Sequence, residues 1–420
     1  MPLKVAIVGA GLAGLGAAIA MNREGHDVEV FEQSSFLHEV GAAIHIPPNA
    51  TRILKEWGFS LNDLDPVHCK HLTTSNSAGN TLFKVVDTKQ LQQDLQTNDE
   101  WLLTHRVDLH NALRRKAEEG SEGKKPKIHL SSKIKSVDPN EGIIYLEDGR
   151  THRADLVIGA DGVHSKTVAA VTGEPQRRVS TGQNCFRFLV PVDKIMANPI
   201  ARRFFTEEHV LDGLHCFASE DRRLVVYPCR HGTSLNIGAI YPTDEDDTVP
   251  ESSWLSGGKL EDLLNTFSGF CPELLEMCRM AEDLKLWSLA SRTPPSTFYK
   301  GCLVLAGDAA HPTLPHQGQG GAQSFEDSAV LGALFPRDTT KAHISERLAM
   351  YEQLRYPRSV TVMFMSKVAN EKRRDMMDEL HRYVPDAEYP EDLFKYFWGA
   401  YPARDAKQLL AQSSATRPMP

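Results

Sequence analysis

The sequence predicts an α/β fold: a discontinuous, Rossmann-like unit on a parallel sheet, carrying an inserted α+β unit built on a mostly antiparallel sheet. Three observations predict it. The chain opens with an apolar strand that runs into the turn Gly9-Ala10-Gly11-Leu12-Ala13-Gly14 and then a helix. Strand and helix patterns of this kind alternate to about residue 60 and return over 104–175, whereas between 180 and 290 short strand-like stretches are separated by turn residues. From Trp287 the parallel pattern resumes and ends in helices expected at 321–335 and 343–382. These shifts place residues 1–70, 101–180 and 287–385 in the first unit, 71–100 and 181–286 in the second, and 386–420 in a C-terminal tail.

The first strand, Leu3 to Val8, is a short apolar run of the kind a buried parallel strand needs. Gly9, Gly11, Ala13 and Gly14 let the backbone approach a pyrophosphate, whose charge sits at the N-terminus of the helix from Leu12 to about Glu24. Gly25 closes that helix, and the strand Asp27 to Phe31 ends at Glu32, at the spacing for hydrogen-bonding a ribose hydroxyl. A glycine turn alone has a merely structural reading; strand, helix and Glu32 together point to a dinucleotide. An acidic residue there suits the unphosphorylated ribose of FAD or NAD and argues against NADP in this site. Further along, Glu118 to Lys127 is the one low-complexity stretch, and Asp155 to Gly162 is a second glycine-ended strand. In the inserted unit, strands are expected over Gln183 to Val192, Arg223 to Tyr227 and Ser234 to Tyr241, with Asp244-Glu245-Asp246-Asp247 as a solvated loop. The last strand, Cys302 to Ala306, ends at Gly307-Asp308, a carboxylate able to accept from ribityl or ribose hydroxyls. Pro312, Pro315 and then Gly318-Gln319-Gly320-Gly321-Ala322 open the helix Gln323 to Leu331. Free amides and the positive end of that helix dipole suit the N1 and O2 edge of a reduced, anionic isoalloxazine, the alternative being a connecting surface loop.

Composition narrows the class. With 420 residues, 41% of them hydrophobic, the chain fills two ordinary cores, and a net charge of −8 offers no basic surface for nucleic acid. The seven cysteines are odd in number and never spaced as Cys-x-x-Cys, so neither a disulfide framework nor a zinc site is indicated, and no metal is expected. With the first strand at Leu3, no signal peptide is expected; no apolar run is long enough to span a membrane, and the C-terminus Ser413 to Pro420 carries no targeting signal. A cytoplasmic protein, monomer or homodimer, is the expectation.

In this order and spacing the three glycine segments resemble the fingerprints of the single-component, class A FAD-dependent aromatic monooxygenases, a group that includes p-hydroxybenzoate and salicylate hydroxylase. The resemblance runs from Val5 to about residue 380, and the stretch His311 to Ala322 is similar to the salicylate-hydroxylase-like branch. It implies a p-hydroxybenzoate-hydroxylase-like FAD domain with the active site at the junction with the inserted domain. Gly41 to Ala50 looks like the family loop that passes over the flavin, which makes Ala42 and Ala43 cofactor contacts. Arg106, in His105 to Leu109, matches an arginine near FAD, and Asp161 matches a residue that touches FAD and serves NAD(P)H. The family pattern continues to an arginine where this chain has Val168, so NADH and NADPH both stay open as co-substrate.

The resemblance also implies the chemistry: a nicotinamide reduces FAD, the reduced flavin takes up O2 as a C4a-hydroperoxide, and an electrophilic oxygen passes to an electron-rich ring. A phenolate reacts faster than a phenol, so a base or a cationic anchor is expected near it. His45 is the first candidate, since an imidazole titrates near neutrality; its other reading is a histidine that fixes the loop. Arg187 and Tyr227 match an arginine and a tyrosine that hold the phenolate in fungal relatives, and an interior ion pair or packed tyrosine explains them equally. His209, His215 and Tyr241 follow on the same argument, and Phe204, Phe205, Phe217 and Trp287 are pocket walls or plain core. The function implied is hydroxylation of a small aromatic acid or phenol, with or without decarboxylation. The alternatives are epoxidation or oxidase chemistry on a secondary metabolite, and a non-enzymatic flavin-binding regulator.

Overall fold

A computed structural model describes residues 2–35, 42–122, 124–176, 178–205, 209–243, 257–367 and 373–415. Gly41, Asp244 to Asp247 and Thr416 to Pro420 lie outside the described residues. Lys4–Val8 forms the centre of a six-stranded sheet because Val5 to Val8 are apolar on both faces and both faces are covered. It pairs in parallel with Asp27–Phe31 on one side and Leu156–Gly159 on the other. Lys127–His129 and Leu303–Leu305 extend the parallel sheet outward, and Tyr299–Lys300 closes one edge antiparallel. The helix Leu12–Arg23 lies directly on the helix Gly320–Leu334, and small residues permit the approach: a Cβ on Gly16 would stand 2.8 Å from Ser328 Oγ. The first and third glycine segments are thereby locked to each other.

The inserted unit is a seven-stranded sheet in the order Glu282–Arg292, Arg178–Pro191, Ser234–Pro242, Arg223–Cys229, Gly213–Ala218, His71–Asn76, Thr81–Asp87. All neighbours are antiparallel except Gly213–Ala218 and His71–Asn76. Alternation assigns its faces. Phe186, Phe188, Phe217, Leu224 and Ile237 point to one side and build a core with the helices Leu260–Thr266 and Pro272–Arg279. Residues of the opposite phase, among them Arg187 and Tyr227, face the parallel unit. A small sheet of Ala43–Ile46, Leu102–His105 and Val67–His68 lies between the two.

The segment expected as a tail after residue 386 instead folds back. It contains the helices Leu393–Trp398 and Pro402–Ala415, and Trp398 is buried with its ring 5.3 Å from that of Trp101. Arg52, paired with Asp99 at 2.7 Å, donates to the Trp398 carbonyl at 3.0 Å and so ties the segment down. The helical stretch expected over 343–382 appears as Ile344–Met365 and Arg373–Leu380. The cysteines are free thiols, and among the described residues no helix is long and apolar enough to cross a membrane.

Candidate active site

The glycines of the first and third segments have distinct duties. Gly9 has φ +95°, and a Cβ there would stand 2.4 Å from the Ala160 carbonyl oxygen; on Gly14 it would stand 1.9 Å from the Gly9 carbonyl oxygen. Both are required for packing. Gly11, at the start of the helix, has no atom within 4 Å of its would-be Cβ, so the backbone there is open to a ligand. Ala13 lies beneath Gly307, whose Cβ would approach it to 2.6 Å. Glu32 accepts the Ala10 amide at 2.7 Å and the Ser34 amide at 2.8 Å, which braces the turn and leaves carboxylate lone pairs for a hydroxyl. His110, which the sequence reading did not single out, donates from Nε2 to the Ala10 carbonyl at 2.7 Å from the far side.

Asp161 is committed internally. Its carboxylate accepts from Ser165 Oγ, Thr167 Oγ1 and the amides of Lys166 and Thr167, closing the turn into the helix Thr167–Thr172. Asp161 and Gly162 stay partly exposed at this turn, while Val168 is fully buried. Arg292, also missed, comes from the inserted sheet and donates to the carbonyls of Asp308 and Ala309 at 2.8 and 2.7 Å.

Asp308 follows the strand Leu303–Leu305, in the single turn Gly307–Ala309. Its surface reaches solvent, and no donor among the described residues hydrogen-bonds its carboxylate. It nevertheless lies deep: the surrounding protein pushes its pKa up, against the opposing pull of His311, Arg292 and Arg106. These facts describe a carboxylate at the bottom of a cleft. Arg106, exposed at the start of the helix Arg106–Glu119, has no ion-pair partner among the described residues and stands near enough to act on Asp308. Pro315 begins a single turn that ends at Gly318 with φ +59°, and Gly320, Gly321 and Ala322 begin the helix Gly320–Leu334 with no side chain capping its amides. Behind that helix start is an ionic core, buried except at Arg358. Arg355 donates to Asp327 and Glu326, each at 2.7 Å; Arg358 bridges Glu326 at 2.7 and 2.8 Å; His311 and the Gly307 amide reach Asp327 at 2.7 Å.

His45, Arg187 and Tyr227 come together at the junction. The strand Ala43–Ile46 is held by the inserted sheet: Asn236 accepts the Ala43 amide at 3.1 Å, and Tyr227 and Arg187 donate to the Ala43 carbonyl at 2.9 and 3.3 Å. Two residues on, His45 accepts at Nδ1 from Trp101 Nε1 at 2.9 Å. An indole N–H only donates, so the proton of the neutral imidazole sits on Nε2, which lies against Gly318 where a Cβ would overlap it. Burial pushes the His45 pKa down to about 4. This departs from the expectation of a base: a base needs a bare nitrogen toward the cleft, and the bare one is engaged by Trp101. Burial pushes Tyr227 up to about 12, with Arg187 pulling the other way, so it stays protonated and donates.

His316 makes a second link between the units. Arg223 donates to its Nδ1 at 2.9 Å, so Nε2 donates to Gln183 Oε1 at 3.0 Å, and burial with the Arg223 charge pushes its pKa to about 3. Trp287 is on the cleft side, 5.8 Å beneath Arg187. The remaining candidates are elsewhere. His209 and His215 pack with Phe204 and Phe217 on the far face and bond to Ser75 and Thr73, and Phe205 packs on Phe204. Tyr241 stacks on Phe186 in the core.

The cleft fits FAD on its own features: an open backbone at Gly11, hydroxyl acceptors at Glu32 and Asp308, and uncapped amides from Gly320. A model of the FAD binding domain matches residues 2–248 and 269–366. The chain is 36% identical over 400 residues to the FAD-dependent monooxygenase cfoG of Aspergillus candidus, covering 92% of this chain and 90% of that protein. It is 33% identical to hispidin-3-hydroxylase of Neonothopanus nambi, covering 85% and 86%. A salicylate hydroxylase substrate complex superposes with TM-score 0.75 over 97% of each chain at 21% identity, a likeness of fold. With the family model spanning most of its length, the chain belongs to the FAD-binding-domain family of FAD-dependent monooxygenases.

Proposed function

We propose that this chain is an NAD(P)H-dependent monooxygenase that hydroxylates a small aromatic acid or phenol. The observation that carries the reading is the meeting of Arg187, Tyr227 and His45 at one strand beside the glycine-rich loop Pro315 to Ala322. Arg187 is half-buried with no acidic partner among the described residues, and after serving the Ala43 carbonyl it keeps N–H groups to give. A cation so placed favours the ionised form of a phenol and lowers its pKa, which readies the ring for electrophilic attack without a protein base. The Nε2–H of His45 is a neutral donor beside it, while the one O–H of Tyr227 is given to the Ala43 carbonyl and holds that strand in place. FAD, when bound, would supply the redox chemistry, using the two electrons of the nicotinamide to put one oxygen atom of O2 on the ring and release the other as water. Cys185 and Ile240, buried yet part of neither apolar core, line the cleft and keep water from it.

The hydroxylation of hispidin, named in one relative, is consistent with a phenolic substrate. The test is a screen of aromatic acids and phenols for stimulated consumption of NADH or NADPH, with mass spectrometry for a product heavier by one oxygen. Absence of stimulation and product across the screen refutes the reading.

A further inference from the structure

We propose that Arg223 is a second anion anchor, placed across the floor made by Gly238 from Arg187, so that the substrate carries acidic groups on opposite sides of its ring. The proposal rests on the reading of this cleft as a monooxygenase site. Register fixes the arrangement. Arg187 pairs with Gly238, which pairs with Val225; in the adjacent row Cys185 pairs with Ile240, which pairs with Arg223. Residues two apart on a strand share a face, so both arginines stand on the cleft side, as the bond from Arg223 to His316 of the flavin unit requires. Strand spacing and rise separate their Cα atoms by about 12 Å, a span an aromatic ring with an acid at each end bridges. Between them Gly238 is buried, yet a Cβ on it would meet only Cys185 Sγ, at 4.0 Å. The centre of the floor is thus bare backbone, flat enough for a ring to lie on.

Charge points the same way. Neither arginine has an acidic partner among the described residues, although both are half-buried, and the partner of Arg223 is a neutral imidazole. Half-buried cations without counter-charge keep a desolvation cost that an anionic ligand offsets.

The test uses the FAD-loaded enzyme, with binding read from the perturbation of flavin absorbance. The probes are 4-hydroxybenzoate, acidic at both ends, and 4-methylphenol, acidic at one. The wild type is expected to bind 4-hydroxybenzoate about tenfold or more tighter, the worth of one charge-assisted hydrogen bond. Arg223→Gln should remove that preference and leave 4-methylphenol within about twofold. His316→Ala, which cuts the tie to the loop and keeps the charge, should preserve the preference. Gly238→Leu should block both probes while FAD stays bound. Equal binding of the two probes by the wild type, or equal weakening of both by Arg223→Gln, overturns the proposal. Product analysis keeps the two readings apart: a binding preference with no hydroxylated product defeats the monooxygenase reading alone, and equal hydroxylation of both probes in wild type and Arg223→Gln defeats only the second anchor.

Discussion

Asp327→Asn removes one charge from the buried ionic core without changing its volume. The carboxylate accepts from Arg355 Nε, His311 Nε2 and the Gly307 amide, each at 2.7 Å, and neither it nor Arg355 is exposed. An asparagine has one acceptor oxygen, so its NH2 must face either the guanidinium or the His311 and Gly307 donors. Breaking one partner of a buried pair costs about 3–5 kcal/mol, a large fraction of a domain's net stability. The damage reaches function because the Gly307 amide precedes Asp308, so FAD retention should fall together with stability. The assay is denaturant unfolding followed by flavin and by tryptophan fluorescence, with and without saturating FAD. Glu326 and Asp327 add a pH signature: burial pushes both up, the facing Arg358, Arg355 and His311 outweigh it, and both end at about 2. Folded pKa values below the ordinary 4.5 and 3.8 mean that their contribution is fully present above about pH 4.5 and is lost as pH falls toward 2. A variant within about 0.5 kcal/mol of wild type, the usual spread of an inert surface change, with its FAD affinity intact, refutes the reasoning.

Asp308→Ala should weaken FAD by about 1–3 kcal/mol through lost hydroxyl acceptors while leaving the apoprotein as stable as wild type or more so, because burial of that carboxylate outweighs the pull of His311, Arg292 and Arg106 and no donor among the described residues hydrogen-bonds it; equilibrium dialysis and apoprotein melting separate the two. Glu32→Ala should lose FAD and also loosen the turn at Ala10, visible as faster amide exchange there, and unchanged exchange speaks against the brace. An aromatic substrate should accelerate flavin reduction by NADH or NADPH in stopped flow, the behaviour of a flavin held by loops such as Pro315 to Ala322; a rate indifferent to every productive substrate argues against it. His45→Ala should lower hydroxylated product by a similar factor, about 5–150-fold for one lost donor, at every pH from 6 to 9, since a ring with pKa about 4 does not titrate there. A defect that shrinks as pH nears the substrate's phenolic pKa would restore His45 as a base.

What the sequence made legible was local. Strand, glycine turn and acidic residue lie within about 30 residues of each other at Gly9 to Glu32, and their spacing carries the geometry. Gly307-Asp308 and Gly318 to Ala322 are readable for the same reason. The ionic core was not, because Glu326 and Asp327 meet Arg355 and Arg358 across 28 to 32 residues, and charged pairs on two helices look like ordinary solvent-facing charges. A signal was present nonetheless: Gly320–Leu334 is small or apolar on nearly every side, which marks a buried helix, and an acid pair inside such a helix must find cations. Arg292 and His110 act on backbone carbonyls, partners no side-chain pattern announces.

The candidate residues illustrate a subtler limit. Residue type identified His45, Arg187 and Tyr227, but their roles depend on what occupies each polar atom. Trp101, 56 positions from His45, decides which imidazole nitrogen carries the proton. The Ala43 carbonyl, 144 and 184 positions from Arg187 and Tyr227, fixes how both donors aim. One residue, Ala43, is thus clamped by three side chains of the inserted sheet, Asn236 at its amide and the other two at its carbonyl. Any ligand that draws Arg187 or Tyr227 away from Ala43 loosens the strand that carries His45 against Gly318. Substrate recognition and the position of the flavin loop therefore share a hydrogen-bonded joint, and a substitution at Tyr227 is expected to disturb both together rather than substrate affinity alone.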